Sequence, residues 1–474
     1  MDTAFLYRRF EAAARDRPHQ PAAVTADGEE ITYRRLRLLV DELTRTIEAS
    51  RQPAHDCLVV EAGRSARHLA AMLAGWRVGL AYVPLRAHEP PGRRREILDQ
   101  LAGRAVLVGA AGAGAVGGAP RGPRLAWAPG EAAYVVFTSG STGAPKGVAL
   151  PTSALANRVD WSQRQYPLRP ADRILQHTAP TFDFSIWEAA ASLTHGATLL
   201  LVPDEPYTDI EEAVEFGIAH RATVAHFVPS VLATVHAAGL LASWPSLRLL
   251  YAGGEQLTGA LAARVRASTP AMLVNQYGPA ETCVDSTHHP VTGVTDAAAV
   301  PIGRPIDNTE CRIVEDELLI AGAGLALGYL APDHPATARF TTLPDSPLRW
   351  FRTGDMVTVD AEGNLVFRGR TDDQVKIGGV RVELAQIEAL ATGHAGVRVA
   401  IAVVDEDGGH AIDLLVEART PDLDPAGLRA HLADHLEGPA MPRRIHVVPT
   451  IPRLASGKID RMRARLAMRR KAAQ

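Results

Sequence analysis

Residues Tyr134 to Val148 read YVVFTSGSTGAPKGV, and no other stretch restricts the possible folds of the chain as much. An apolar run suited to a buried strand ends abruptly in a turn dense in Gly, Ser and Thr, which closes on Pro145-Lys146-Gly147. Thr138, Ser139, Ser141 and Thr142 offer hydroxyls, Gly140 and Gly143 let backbone N–H groups approach anionic oxygens, and Lys146 brings a positive charge. Strand, glycine-rich turn and cation in that order make a phosphate cradle. The spacing does not match GxxxxGKS or GxxxxGKT, which argues against a P-loop NTPase, and a plain Gly/Ser linker would not follow YVVF. ATP is the expected ligand.

At 474 residues the chain is too long for one compact core, so two or more domains are expected. A net charge of −3 provides no electrostatic footprint for nucleic acid, and the basic runs Arg93-Arg94-Arg95 and Arg469-Arg470-Lys471 read as solvated faces. Cys57, Cys283 and Cys311 are too widely spaced for a disulfide framework or a zinc site. The opening MDTAFLYRRFEAAARD lacks the apolar core of a signal peptide, and no run approaches the ~18 apolar residues of a membrane span. A cytoplasmic protein with no membrane partner is the expectation.

Thr32 is placed to cap a helix that buries a stripe of Leu36, Leu39, Val40, Leu43 and Ile47. Short strands are expected at Cys57–Val60, Ala105–Val108, Tyr134–Phe137, Thr198–Val202, Thr223–Val228, Leu247–Tyr251 and Met272–Asn275. Several are separated by helix-length segments, which argues for α/β layering. Gly109 to Pro129, rich in Gly, Ala and Pro, reads as a loop with no element of its own. After Gly369 the texture changes to alternating helix and strand patterns, with Asp372-Asp373 marking a boundary.

Six ordered segments, taken together, resemble the adenylate-forming superfamily and, within it, the amino-acid adenylation domains of nonribosomal peptide synthesis. They are the phosphate loop, Phe182-Asp183-Phe184-Ser185-Ile186-Trp187-Glu188, Asn275-Gln276-Tyr277-Gly278-Pro279-Ala280-Glu281-Thr282, Phe351-Arg352-Thr353-Gly354-Asp355, Gly369-Arg370-Thr371-Asp372 and Ser456-Gly457-Lys458. The resemblance covers nearly the whole chain. It implies an α/β fold: a large N-terminal domain of layered sheets and helices with a distorted β-barrel, residues 1–371, and a small mobile α+β C-terminal domain, residues 372–474.

It also implies roles. Lys458 would bridge the substrate carboxylate and the α-phosphate, Glu281 would hold Mg2+, and Thr282 would donate to the α-phosphate. Tyr277 would stack on adenine against Gly253-Gly254, with Asn275 alongside, Asp355 would accept from the ribose hydroxyls, and Arg370 would support the ribose and phosphate side. Such a set suits the reaction, because positioning and neutralising charge supply most of the rate of phosphoryl chemistry. Asp372 would be the hinge, and Gly379 would face the pantetheine channel, beside Gly378 where the family more often has Arg.

Asp183 matches the aspartate that pairs with the substrate α-ammonium, where aryl-acid relatives usually carry Asn. The remaining wall would be Phe184, Trp187, His226, Leu250, Ala252, Gln276, Val284 and Asp285. Buried polar groups such as His226 and Asp285 need partners, so a small hydrogen-bonding side chain is expected, serine before threonine, 2,3-diaminopropionate or a small β-amino acid. No pantetheine attachment motif follows Lys458 and no HHxxxDG occurs, so the thiol is expected from a carrier protein in trans, its phosphopantetheine supplied by that partner, with a small activator protein as a further partner. Competing expectations are an acyl- or aryl-CoA synthetase using free coenzyme A, and a non-catalytic binding module.

Overall fold

The computed structural model describes residues 2–61, 63–109, 112–117, 125–139, 144–202, 209–293, 299–372, 374–405, 411–419, 423–436, 438–452 and 463. The chain forms two compact units. The larger comprises Met1–His88, Leu98–Phe137 and Gly147–Thr371; the smaller comprises Glu89–Ile97, Thr138–Lys146 and Asp372–Gln474. The segments 89–97 and 138–146, which sequence order alone puts in the first domain, belong to the smaller unit.

The larger unit is layered. A nine-stranded sheet has a parallel centre running through Met272–Tyr277, Leu249–Gly253, Val224–Phe227, Arg173–Gln176, Thr198–Leu201 and Pro21–Val24, with antiparallel strands at both edges. A seven-stranded sheet holds Cys57–Glu61, Ala81–Leu85, Ala105–Gly109 and Ala132–Thr138. A five-stranded antiparallel sheet is built on the long strand Ser346–Val359; its described strands follow an open path, where the resemblance implied a distorted barrel.

Each strand expected from sequence is present, with ends shifted by a residue or two. Thr32 caps the Tyr33–Ser50 helix by accepting the Arg35 N–H at 3.1 Å, and Leu36, Val40, Leu43 and Ile47 are buried. One expectation fails: Gly112–Ala115, inside the stretch read as a loop, is an edge strand paired antiparallel with Ala105–Gly109. Glycine and alanine have low strand propensity, but an edge position asks only for ladder hydrogen bonds on one side.

In the smaller unit a two-stranded hairpin, Gln374–Ile377 and Val380–Glu383, leads into the Leu384–Gly393 helix and a three-stranded sheet. Ile377, Val382, Ile387, Val397, Leu414 and Leu428 are among the residues of its own core. Among the described residues no helix is long and apolar enough to cross a membrane.

Candidate active site

The residues expected to meet the substrate gather around the start of the Asp183–His195 helix. That helix is buried along nearly its whole length and ends at Gly196, whose φ of 78° suits a glycine cap. Asp183 is its first residue, one past the cap Phe182, so the carboxylate is not spent on capping. It accepts instead from the Val284 N–H at 3.2 Å. Asp183 keeps some exposed surface, yet burial of its surroundings, then the Asp285 carboxylate, push its pKa up to about 6.

Val284 can reach Asp183 because the chain is bent sharply there. Cys283 and Val284 have φ of 64° and 68°, a left-handed pair that a β-branched residue rarely adopts, and the Asp285 N–H closes a tight turn on the Cys283 carbonyl at 2.9 Å. Gly278 lets this bend pack, since a Cβ there would lie 2.5 Å from the Val284 carbonyl oxygen. Backbone strain of this kind persists where the surroundings hold it, and here it aims Val284 and Asp285 at the same site.

Phe184, Trp187 and His226 form the aromatic wall. Phe184 stacks on His226 with centroids 3.5 Å apart, and Trp187 lies 5.0 Å from Phe184 and 5.5 Å from Tyr251. Burial, then His177 and Arg158, hold His226 neutral well below its ordinary pKa, and its Nδ1 has no partner among the described residues. Both amide atoms of Gln276 and the Tyr251 hydroxyl are likewise buried without partners.

Two expected wall residues are on the wrong face. Side chains alternate along a strand, and Leu250 and Ala252 pack into the second core cluster with Phe227 and Leu273. Tyr251, one residue along, joins Phe184 and Trp187 in the first. The correction is a slip of a single position, so the wall residues of that strand are Tyr251 and Gly253. Asn275, expected beside the nucleotide, shares the Ala252 register and its amide donates to the Pro301 carbonyl at 2.8 Å.

Asp285 has a partner within the chain: Arg158, on the Thr152–Gln165 helix, donates to its Oδ2 from Nε at 3.0 Å and Nη2 at 2.5 Å, both side chains being buried. The guanidinium lies over Trp161 at 4.9 Å and Trp187 at 4.5 Å. Sequence reasoning missed Arg158 and Trp161; their spacing of three on one helix was the available signal.

A second group of residues surrounds Asp355. The Tyr277 hydroxyl donates to Asp355 Oδ2 at 2.5 Å and Arg370 Nη1 donates to Oδ1, while Arg370 Nη2 reaches the Thr353 carbonyl at 3.2 Å. Burial, then Asp355, push the Tyr277 hydroxyl pKa well up, so it stays a donor. Each carboxylate oxygen has two acceptor sites, so Asp355 retains capacity for ribose hydroxyls. Glu281 is wholly buried on the short Ala280–Thr282 turn, with the Tyr329 hydroxyl donating to Oε1 at 2.8 Å. Thr282 Oγ1 donates to the Pro279 carbonyl at 3.1 Å and accepts from Ser286 at 2.7 Å. Gly254, with φ of 86°, follows Gly253 at the strand end.

In the smaller unit, Ser139 Oγ donates to the Arg381 carbonyl at 2.7 Å, and Thr138 Oγ1 is buried without a partner among the described residues. Lys146, expected to face phosphate, is buried with its Nζ 3.8 Å from Glu383; the anion beside it is a carboxylate of its own chain. Asp372 accepts the Gln374 N–H at 3.3 Å. Gly378 and Gly379 form the two-residue hairpin tip with φ of 56° and 75°, a conformation that accounts for glycine where the family more often has Arg. Gly140, Ser141, Thr142, Gly143 and Lys458 lie outside the described residues.

The AMP-binding enzyme family matches residues 10–125 and 117–330. Phenyloxazoline synthase MbtB of Mycolicibacterium paratuberculosis is 33% identical, across 96% of this chain and 41% of its own. The L-allo-isoleucine:holo-[CmaA peptidyl-carrier protein] ligase of Pseudomonas savastanoi pv. glycinea is 32% identical, across 96% of this chain and 82% of its own. The chain spans only 7% to 42% of the length of the first three curated relatives it matches. Among solved structures, holo-PA1221, an NRPS protein containing adenylation and PCP domains bound to a vinylsulfonamide inhibitor, is 26% identical with a TM-score of 0.82, covering 98% of this chain and 84% of its own. The chain belongs to the AMP-binding enzyme family of ATP-dependent, AMP-forming ligases, as an adenylation domain of the nonribosomal peptide synthetase type.

Proposed function

We propose that this chain activates a small polar amino acid, serine-like, with Mg-ATP as its aminoacyl-adenylate, and then passes the aminoacyl group to the phosphopantetheine thiol of a carrier protein supplied in trans. The observation that carries the reading is Asp183: a carboxylate at the start of a buried helix, not used as a cap, oriented by the Val284 N–H and beside an aromatic wall. A carboxylate so enclosed favours a cation, and the α-ammonium of an amino acid is the cation of matching size.

In the first half-reaction a carboxylate oxygen of the amino acid attacks the α-phosphorus, and pyrophosphate leaves with the bond it held. Asp183 anchors the ammonium, Thr282 lies at the α-phosphate, and Asp355, clamped by Tyr277 and Arg370, accepts from the ribose. Glu281 would hold Mg2+: a buried single carboxylate oriented by Tyr329 is the hard-oxygen donor that this ion combines with phosphate oxygens. The ion would neutralise charge on the phosphates. Lys458 and Lys146 are the cations assigned to the transferring group. In the second half-reaction the carrier thiol attacks the acyl carbon, the thiol proton passes to solvent, and AMP leaves; the Gly378-Gly379 tip serves that step. A relative named as a ligase acting on a holo peptidyl-carrier protein supports the choice of acceptor.

Amino-acid-dependent ATP–pyrophosphate exchange across serine, threonine, 2,3-diaminopropionate, small β-amino acids and aryl acids tests the reading. Strong exchange with one small polar amino acid is expected. Exchange confined to aryl or fatty acids would overturn the assignment of Asp183.

A further inference from the structure

The strongest unexplained feature of the pocket is the guanidinium of Arg158. It lies over the indoles of Trp161 and Trp187, and its Nε and Nη2 are committed to Asp285. The remaining nitrogen, Nη1, is buried and has no partner among the described residues. Burying a donor of a charged group without an acceptor is costly, so the arrangement is complete only when something brings an acceptor.

Further orphaned polar atoms belong to the same aromatic cluster. Tyr251, whose hydroxyl is unpartnered, lies edge-on to Trp187 at 5.5 Å, and His226, whose Nδ1 is unpartnered, lies under Phe184 at 3.5 Å. A Cβ on Gly253 would stand 3.1 Å from the Gln276 carbonyl oxygen, 3.5 Å from Gln276 Cβ and 3.6 Å from His226 Nε2, so glycine there lets these groups draw close. One donor that can only donate, a hydroxyl, an imidazole and an amide thus belong to neighbouring residues. Their natural complement is a side chain with an acceptor oxygen.

Charge balance gives the same answer. Asp183 is assigned to the α-ammonium, and Asp285 is already neutralised by Arg158. A side-chain cation would add a like charge beside the guanidinium, with the Asp285 charge already balanced by Arg158. We infer that Arg158 is a specificity-determining residue: it ties up Asp285 and presents Nη1 to an acceptor oxygen on the substrate side chain, selecting serine-like substrates over 2,3-diaminopropionate and other cationic amino acids. This rests on the amino-acid reading of Asp183.

The test is ATP–pyrophosphate exchange on the whole chain with serine, alanine and 2,3-diaminopropionate, using wild type, Arg158→Lys, and the charge-neutral pair Arg158→Met with Asp285→Asn. The pair leaves no buried unpaired charge, and a cooperative thermal transition checks its fold. In wild type serine should exceed 2,3-diaminopropionate by about a hundredfold in kcat/KM, the scale set by an unmatched buried polar group. Arg158→Lys, which loses the planar fork, should lower the serine-to-alanine ratio about tenfold while alanine itself changes little. The neutral pair should narrow the serine to 2,3-diaminopropionate gap by about tenfold. Equal losses for serine and alanine would reduce Arg158 to scaffold, and wild-type preference for 2,3-diaminopropionate would overturn the inference while leaving Asp183 in place. Exchange only with acids lacking an α-ammonium would overturn Asp183 and this inference together.

Discussion

In the larger unit the aromatic wall holds Arg158 on Asp285 at 2.5 Å and leaves the Tyr251 hydroxyl, His226 Nδ1 and the Gln276 amide without partners among the described residues, whereas in the smaller unit Ser139 and Lys146 are engaged by Arg381 and Glu383, with Thr138 Oγ1 unpartnered. The two regions differ in how far their polar groups are already engaged. The wall is set on a helix and three adjacent strands. The glycine-rich segment has its cation beside a carboxylate of the same chain, so a phosphate must displace that contact. Preorganised groups give their full interaction to a ligand, while exchanged ones give only the difference. Substitutions in the two regions should therefore separate amino-acid binding from ATP binding.

The largest effect is expected at Asp183. Asp183→Ala leaves an ammonium unpaired in an enclosed site and should lower kcat/KM for the amino acid about a thousandfold, with the KM for ATP moving less than about twofold. Parallel losses for both substrates would erase the distinction between the regions. Lys146→Met comes next: KM for ATP should rise about thirtyfold, the scale of a charge-assisted contact, with amino-acid KM unchanged. Its counterpart, Glu383→Gln, removes the carboxylate that competes with phosphate and should lower KM for ATP by about threefold. A rise instead would mean that Glu383 orients Lys146 toward ATP.

Acidity sharpens the pocket side. Because Asp183 is raised to about 6, the carboxylate that meets the ammonium is lost as pH falls through that value, and kcat/KM for the amino acid should drop about tenfold per unit below it. For the fold the sign is opposite. A carboxyl with a raised native pKa opposes folding once ionised, so stability is lost as pH rises from about 4 to 6. Asp183→Asn should thus raise Tm at neutral pH while abolishing the acid limb; an unchanged Tm would argue against the raised pKa. The smallest effect is at the hairpin tip. Gly379→Ala places a Cβ at φ of 75° and should cost about 1 kcal/mol. It should slow thioester formation about fivefold while exchange stays near normal; equal slowing would tie the tip to adenylation as well.

Much of the site was legible in the primary structure because chemistry-bearing residues sit in short ordered segments. Asp183, Trp187, Tyr277, Glu281 and Asp355 could be named from Phe182–Glu188, Asn275–Thr282 and Phe351–Asp355 without coordinates, and His226 from the expected strand Thr223–Val228. The Leu249–Gly253 strand was not so legible. Every residue from Leu249 to Ala252 is apolar or aromatic, and a parallel strand buried on both faces gives no contrast from which to choose a face. That is why Leu250 and Ala252 were taken for Tyr251 and Gly253.

What the chain of residues determined by itself was the class of chemistry: a glycine-rich turn after an apolar strand, a placed aspartate before an aromatic pair, and carboxylates with the spacing of nucleotide contacts. These are local signals, and local signals survive in one dimension. Tertiary structure alone decided which polar groups satisfy one another. Arg158 and Asp285 are 127 positions apart in the chain, and Ser139 is 242 from Arg381. A buried charge adopts whatever partner folding brings within reach, because the cost of leaving it unpaired exceeds any preference written in its immediate neighbours.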